Sequence, residues 1–570
     1  MAGILVPNLY SGWQNNPDPN WSQISIRSFA SSSELGVKSS PTIVAASSTG
    51  RVFVAATNTA AKQALETHSY HRNVLYDKVI ISKTIEDVGI VVSTVTLSFN
   101  IWSTFFSDIT LQSIAETGTD GMNLISPYTP PVTIKALQED TFTVEVTPQG
   151  PYTIDATYDF VYQGLYTLSF NIVGIRIVIW LFEPDWGADL RETLQWKTDV
   201  LTAYDGTEQR FRLMANPRRN LEYRVSTPTQ ELRALFSNIL YGWHERLFAL
   251  PVWYSETRLS ADAFIGDSSI TLDSVNFDDL QVGGLVVLWV RGTYTYEVFT
   301  VTDITGNVVS LDSTLQKDWP QGIRVYPAVL ANLQLTATVE HDSDILSRLD
   351  VDFIVKDAPA RTASDPNPTY RTLPVLDTPV DWGKDQKTDL YRKATEIDFG
   401  RVSEIYRDIE SAVPQEVVPF RWVFAQRADI ESFIQWLYSK SGRLKPFWFP
   451  TWRTDMVVTQ TIAASDTTIT IKNIKYTTYV NLGTNRKDIM IELKDGTKFY
   501  RRITAASVLS DTEESLTIDA SLGVSVAPSD IKRVSYMWIV RLDTDRVEML
   551  WHSYDGMTVD LSFRSLNYDV

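Results

Sequence analysis

The sequence predicts a mainly β protein. It reads as several β-sandwich domains, with a duplicated β-sandwich-plus-helix unit. Each copy of that unit carries a small inserted β-barrel or sandwich. Three observations predict this. Val, Ile, Thr, Tyr and Phe fill runs that alternate with polar residues, the pattern of half-buried strands. Two segments about 200 residues apart repeat a helix followed by a Pro-x-Trp strand. The chain of 570 residues has no cysteine, so its architecture rests on packing, and an apolar content of 44% suffices for several cores.

Residues 1–75 are rich in Ser, Ala and Thr and read as a segment of mixed structure. A helix is expected at 59–66 and strands at 42–46 and 51–55, around the turn Ser47-Ser48-Thr49-Gly50. Residues 76–190 read as a β-sandwich module. Val95, Leu97, Phe99 and Ile101 alternate on one face, and runs at 141–146 and 152–160 flank the turn Pro148-Gln149-Gly150-Pro151. The string Thr-Leu-Ser-Phe-Asn-Ile occurs at 96–101 and again at 167–172, a hint of duplication within this module. The most apolar stretch, 172–182, is interrupted by Arg176. It is too short to cross a bilayer as a helix and reads as a buried strand. The opening Met1-Ala2-Gly3-Ile4 starts no signal-peptide pattern.

The duplication begins near Trp196. In the first copy Leu232, Leu235, Phe236, Ile239 and Leu240 form a helical stripe. Ile430, Phe433, Ile434, Leu437 and Tyr438 form one in the second. Each helix runs into an aromatic strand, Leu250-Pro251-Val252-Trp253 or Phe449-Pro450-Thr451-Trp452. Gly266-Asp-Ser-Ser-Ile-Thr-Leu272 then matches Ser465-Asp-Thr-Thr-Ile-Thr-Ile471, and Ser310-Leu311-Asp312 matches Thr517-Ile518-Asp519. Val351-Asp352-Phe353 matches Val559-Asp560-Leu561, so the successive offsets are 199, 207 and 208. The first unit is expected at 191–259 plus 327–356 with its insert at 260–326. The second is expected at 388–461 plus 537–570 with its insert at 462–536. Residues 357–387 carry Pro359, Pro366, Pro368, Pro374 and Pro379 and read as an extended connector rather than a packed element.

No residue set announces catalysis, and the chain reads as a non-enzyme without cofactor or metal. Of five histidines only His68 and His71 are close in sequence, and no further ligands stand at zinc spacing. The acidic pairs Asp342/Asp344, Asp350/Asp352 and Asp543/Asp545 would need to face one another across a cleft to act on a glycoside. Asp205-Gly206, Asp495-Gly496 and Asp555-Gly556 read as turns. No nucleophile elbow, phosphate loop or dinucleotide fingerprint is present. A net charge of −18 argues against nucleic-acid binding. The aromatic runs 248–253 and 447–452 occupy the same point of both copies, which favours core packing over a sugar groove. Tyr294, Tyr296, Tyr476 and Tyr479 in the inserts are the better candidates for exposed contacts.

Several motifs resemble a known family. Trp196-Lys-Thr-Asp-Val200, Asp205-Gly-Thr-Glu-Gln-Arg210, Pro217-Arg218-Arg219 and Leu221-Glu-Tyr223 resemble a pattern in distal-tail and minor tail proteins of the baseplate of long-tailed bacteriophages. So does Ser441-Gly-Arg-Leu-Lys-Pro-Phe-Trp-Phe-Pro-Thr-Trp-Arg-Thr-Asp455. The resemblance covers about two thirds of the chain, 196–355 and 395–570. In place of the 205–210 motif the second copy has Arg407-Asp-Ile-Glu-Ser411 and Pro414-Gln-Glu416. The resemblance implies a structural protein of the virion tail tip, made in the host cytoplasm. It would form a ring joining the tail tube to the hub, fibres or receptor-binding proteins. Two units per chain suit a trimer with pseudo-six-fold symmetry, or a hexamer. No nucleic-acid binding or membrane insertion is expected. The alternative reading is a carbohydrate-binding tail adhesin.

Overall fold

Alternating burial, with side chains on successive residues pointing to opposite faces, marks strands such as Thr153–Tyr162, Arg218–Thr227, Ser347–Val355 and Gln415–Phe424, whereas Leu247–Pro251 and Asp488–Leu493 are buried throughout. A computed structural model describes residues 76–567, apart from 93, 165–166, 204, 357–360, 384, 393, 401–404 and 410–413. The elements expected before residue 76, with His68 and His71, lie outside the described residues. The chain divides into two compact units at Ile177/Val178 rather than after residue 190.

The described part of the first unit is a β-sandwich. One sheet has the order Val79–Ile81, Val95–Ser103, Glu139–Val146, Met122–Ile125. The other runs Ile85–Val91, Thr167–Arg176, Thr153–Tyr162, Ile109–Thr117, Val132–Ile134. Between them Phe99 meets Phe170 at 4.2 Å between ring centroids, and Phe142 meets Phe160 edge-on at 5.1 Å. The repeated hexapeptide therefore marks two strands that face each other across one core. It does not mark a duplicated module. Val95–Ser103 is antiparallel to both neighbours, whereas Thr167–Arg176 lies parallel to Ile85–Val91. The apolar stretch at 172–182 is not one strand. It breaks at Arg176, whose buried guanidinium donates to the carbonyls of Thr147 (2.8 Å), Pro151 (2.9 Å) and Asp120 (2.9 Å). Those bonds satisfy a charge that would otherwise be costly to bury.

The second unit contains both copies, and their pairing agrees strand for strand. A ten-residue strand (Arg218–Thr227; Gln415–Phe424) leads through two residues into a 14-residue helix. The helices are α1, Gln230–Trp243, and α2, Arg427–Lys440. A short strand follows (Leu247–Pro251; Phe447–Pro450), then the insert, then a long strand (Arg324–Leu333; Ile531–Leu542) and a last strand (Ser347–Val355; Met557–Ser565). Placing Pro251 on Pro450 puts the pairing Pro251↔Ala328 on Pro450↔Met537. It also puts Leu333↔Phe353 on Leu542↔Phe563, and Thr227↔Ser347 on Phe424↔Met557. The last strand is thus offset by 210 (Phe353 to Phe563), not 208. A two-residue slip keeps every side chain on the same face, so alternation alone cannot detect it. Packing supports the new partner: Phe353 touches Phe248 and Tyr223, as Phe563 touches Phe447 and Phe420. The ion pair Arg224–Asp350 likewise recurs as Arg421–Asp560.

The equivalence reaches further toward the N-terminus than the motifs suggested. Val178–Ile179 lies parallel to Leu247–Pro251, and Val375 bridges in parallel to Trp448. Trp180 N donates to Ala249 O at 3.0 Å, as Leu376 N does to Trp448 O at 2.9 Å. The segment read as an open connector is therefore packed: Arg361, Tyr370, Val375, Leu376 and Val380 are buried. Hairpin Thr198–Thr202/Glu208–Arg212 corresponds to Ala394–Asp398/Ile405–Ile409, with Arg210 on Arg407, so the counterpart of the 205–210 motif ends at residue 407 instead of beginning there.

Each insert adds four strands and its own apolar cluster: Ser269–Thr271, Leu285–Trp289, Tyr296–Thr305 and Val308–Leu311, or Thr468–Lys472, Asp488–Leu493, Lys498–Val508 and Glu513–Ile518. A bulge falls at equivalent points, Val301/Asp303 and Ile503/Ala505. Single bridges, Leu259↔Leu272 and Val458↔Ile471, return the ladder toward its first strand, so each insert is a partly closed barrel.

Candidate functional site

Most of the residues that could have carried chemistry are engaged elsewhere; Asp344 is exposed, and the buried Nε2 of His244 has no hydrogen-bond partner among the described residues. Asp350 and Asp352 share one face of a strand, but Asp350 pairs with Arg224 and Asp352 accepts from Gln334. Asp342 pairs with Arg348, and Asp543 with Arg564. Asp205 and Asp495 accept from the backbone of Thr207 and Thr497, the expected turn role. His341 bonds Ser347, while His552 bonds Asp189 and Thr558. Among the described residues no group of three or more His, Asp or Glu could hold a metal ion. The aromatic runs are core: Phe248, Trp253, Phe447, Trp448, Phe449 and Trp452 are all buried. Tyr476 departs from its expected exposure. It is buried, and its hydroxyl donates to Arg486 O at 3.0 Å. Tyr479 is exposed, and Tyr294 is half-exposed with its ring edge-on to Tyr296 at 5.2 Å.

The densest chemistry lies at the seam between the copies. Strand Leu190–Gln195 of the first copy pairs along its inner edge with Arg218–Thr227. Its outer edge pairs antiparallel with Arg546–Trp551 of the second copy, from Leu190↔Trp551 to Gln195↔Arg546. Asp545 closes one end. It accepts from Thr198 N (2.8 Å), Thr198 Oγ1 (3.0 Å) and Arg443 N (2.8 Å). Arg541 makes a two-pronged pair with Glu208 at 2.7 and 2.8 Å, with both side chains buried. Such forked geometry fixes register as well as adding charge attraction.

Four buried charges lie beneath the seam. Arg219 donates to Glu192 (2.8 Å) and Asp279 (2.7 Å), and Arg361 donates to Asp279 (2.8 Å). Two cations and two anions cancel. Tyr254 joins through its hydroxyl, and its ring stacks on Trp551 at 3.8 Å, with Trp551 Nε1 donating to Glu192 at 3.1 Å. Burial alone would raise the Asp279 carboxyl; Arg219 and Arg361 outweigh it and hold the group below the usual carboxylate range. Burial pushes the Tyr254 hydroxyl well up, so it stays neutral. The members come from both copies, the first insert and the segment joining the copies.

The second copy has a counterpart with reversed polarity. At the position of Arg219 stands Glu416, and where Asp279 rises from the first insert Arg486 rises from the second, 2.8 Å from Glu416. In both copies an ion pair pins the insert to the body, fully buried in the first and with Arg486 partly exposed in the second. In the sequence Arg219 stands out only as part of the motif Pro217-Arg218-Arg219. The available signal was its place on the buried face of the strand, in line with Leu221, Tyr223 and Val225.

A cleft of about 460 Å³ is lined by Arg443, Arg541 and Arg564, but each of these cations is paired with Asp545, Glu208 or Asp543. It therefore offers no open anion site. No helix among the described residues is long and apolar enough to cross a membrane.

No family model matches the chain, and no curated protein matches it. Among solved structures, the secreted serine protease VesC from Vibrio cholerae is 8% identical, with 50% of this chain and 52% of that chain covered, at a TM-score of 0.17. A similarity that low carries no argument about fold or activity.

Proposed function

We propose that this chain is a structural component of a bacteriophage tail tip or baseplate. It forms a ring that joins the tail tube to the hub, fibres or receptor-binding proteins. The observation that carries the reading is the seam: the edge of one copy is built onto a different edge of the other. Such a contact is heterologous, and repeated by a rotation that closes it gives a ring. The sequence resemblance supplies the tail assignment. The engagement of Asp342, Asp350, Asp352, Asp543 and Asp545, and the burial of the aromatic runs, leave structural work as the simplest role. The adhesin alternative loses Tyr476 as a stacking platform, since its ring lies inside the insert.

Gold-labelled antibody against the chain, applied to purified particles, tests the assignment. Label at the tail end supports it. Chain that is abundant in infected cells and absent from particles refutes it.

A further inference from the structure

We infer that chains join head to tail by strand addition: edge 386–391 of one chain pairs antiparallel with edge 336–341 of the next. The inference rests on the ring reading above and names its contact.

These two segments are the equivalents of the strands that form the internal seam. Asp389–Tyr391 pairs with Gln415–Phe424 as Leu190–Gln195 pairs with Arg218–Thr227. Val339–His341 pairs with Ser347–Val355 as Arg546–Trp551 pairs with Met557–Ser565. Among the described residues no strand pairs with the outer edge of either. The seam's register carries over directly. Leu194↔Val547 becomes Leu390↔Ala337, and Leu190↔Trp551 becomes Gln386↔His341. The side-chain amide of Gln386 is buried and has no hydrogen-bond partner among the described residues.

Exposure points the same way. Leu194 is 0% exposed in the seam, whereas its equivalent Leu390 is 67% exposed. Tyr438 is buried against Trp196, whereas its equivalent Tyr241 is 97% exposed. On α2 eight residues are buried; on α1 only Phe236 is. The uncovered side of α1 forms a groove of about 480 Å³ with the edge segment, lined by Phe236, Leu240, Tyr241, Leu335, Ala337 and Val339. In the second copy the first copy's edge fills the corresponding place.

The occupant is a second copy of this chain because both halves of each polar contact change together. In the seam Thr198 bonds Asp545, and Glu208 bonds Arg541. On the free edges these positions hold Ala394 and Leu335, and Ile405 and Asn332. Leu335 is 87% exposed. A polar seam inside the chain is thus matched by a more apolar one between chains. An open strand edge flanked by such side chains is otherwise an aggregation hazard.

The absence of cysteine allows a clean test. The double variant Leu390→Cys with Ala337→Cys places thiols opposite each other across the inferred contact. Leu390→Cys with Thr338→Cys shifts one thiol to the other face of the strand. After mild oxidation at micromolar concentration, the first variant should give a ladder of covalent multimers, several-fold more than the second. Equal or absent cross-linking, with mass photometry still finding rings, overturns the contact and leaves the ring reading intact. A stable monomer without cross-links overturns both. Specific cross-linking into open chains of no fixed size upholds the contact and overturns the ring. Leu390 and Thr338 are exposed and Ala337 is half-buried, so all three positions tolerate cysteine, checked by an unchanged melting temperature. Leu335→Asp should abolish assembly, and unchanged assembly would count against the contact.

Discussion

Replacing Asp279 by Asn removes one of two anions that hold Arg219 and Arg361 in a buried site. The cluster then carries one excess positive charge with no water to solvate it. Removing a single member of a buried charge pair costs about 3–5 kcal/mol. At about 1.2 °C per kcal/mol, from an unfolding entropy of about 2.1 cal/mol/K per residue over 178–570, that is a fall in melting temperature of about 4–6 °C. Tryptophan emission is a direct readout, because Trp551 stacks on Tyr254 beside the cluster. The sign of the pH dependence follows from the depressed Asp279 carboxyl. A group whose folded pKa is lowered stabilises above its unfolded value, near 4, and loses that contribution as pH falls toward its folded pKa. The gap between wild type and Asp279→Asn should therefore be level from pH 5 to 8 and shrink below about pH 4. Adding Arg361→Met to Asp279→Asn should recover part of the loss, since charges in one network are not additive. A fall under about 2 °C, or strict additivity of the two substitutions, would refute the claim that these four groups act as one buried network.

Other consequences are checked in the same way. Gly442→Ala should loosen the seam. Gly442 has φ +67°, and a Cβ there would meet Asp545 Oδ1 and lie 2.9 Å from Trp196 Cβ. The expected cost is about 1–3 kcal/mol, with faster amide hydrogen exchange at 190–195 as the specific sign. Phe353→Ala and Phe563→Ala should each cost about 3–5 kcal/mol in denaturant titrations, because they occupy the same core position. Near-neutrality of one would undo the register equivalence. Tyr476→Phe should cost about 1 kcal/mol through the lost bond to Arg486 O, while Tyr479→Ala should stay within about 0.5 kcal/mol. Thermal melts of the two variants compare them directly, and the reverse order would place Tyr476 at the surface.

Much of this architecture is legible in the chain because two periodicities state it openly. The helical stripes, the Pro-x-Trp strands and the Gly/Ser-Asp turns recur at nearly constant spacing, and each marks an element the structure contains. Where reading failed, the signal was degenerate. Strand alternation has period two, so Val351 aligned with Val559 as plausibly as with Leu561. Only the aromatic contacts of Phe353 and Phe563 break the tie. Five prolines made 357–387 look open, although Val375, Leu376 and Val380 lie buried there as the second copy's counterpart of 179–184. Tyr476 looked exposed because tyrosine tolerates either environment, and only its place in the short helix Tyr476–Tyr479 turns it inward while Tyr479 points out. The seam was invisible for another reason. Glu192, Arg219, Asp279 and Arg361 are spread over 170 residues, and no local pattern connects them.

A repeat with identical edges in both copies would face a problem of choice. The first copy's edge at 190–195 could then pair with the second copy of its own chain or of another, with equal energy. Nothing but proximity would separate folding from aggregation. The exchange of residues between the copies removes that symmetry. Asp545 accepts from Thr198 and Arg443; Ala394 at the free edge keeps a backbone N–H but has no hydroxyl, so the bond from Thr198 Oγ1 would be lost, at about 1–3 kcal/mol. Leu335 would conversely bury a hydrophobic side chain against Thr198. Arg541 facing Ile405 instead of Glu208 would strand a cation. Each mismatch weakens the wrong pairing relative to the right one, and discrimination between similar surfaces rests on such differences. The reversed pair Arg219–Asp279 and Glu416–Arg486 extends the logic to the inserts. Neither insert can dock on the other copy's body without placing like charges together: Asp279 would face Glu416, and Arg486 would face Arg219.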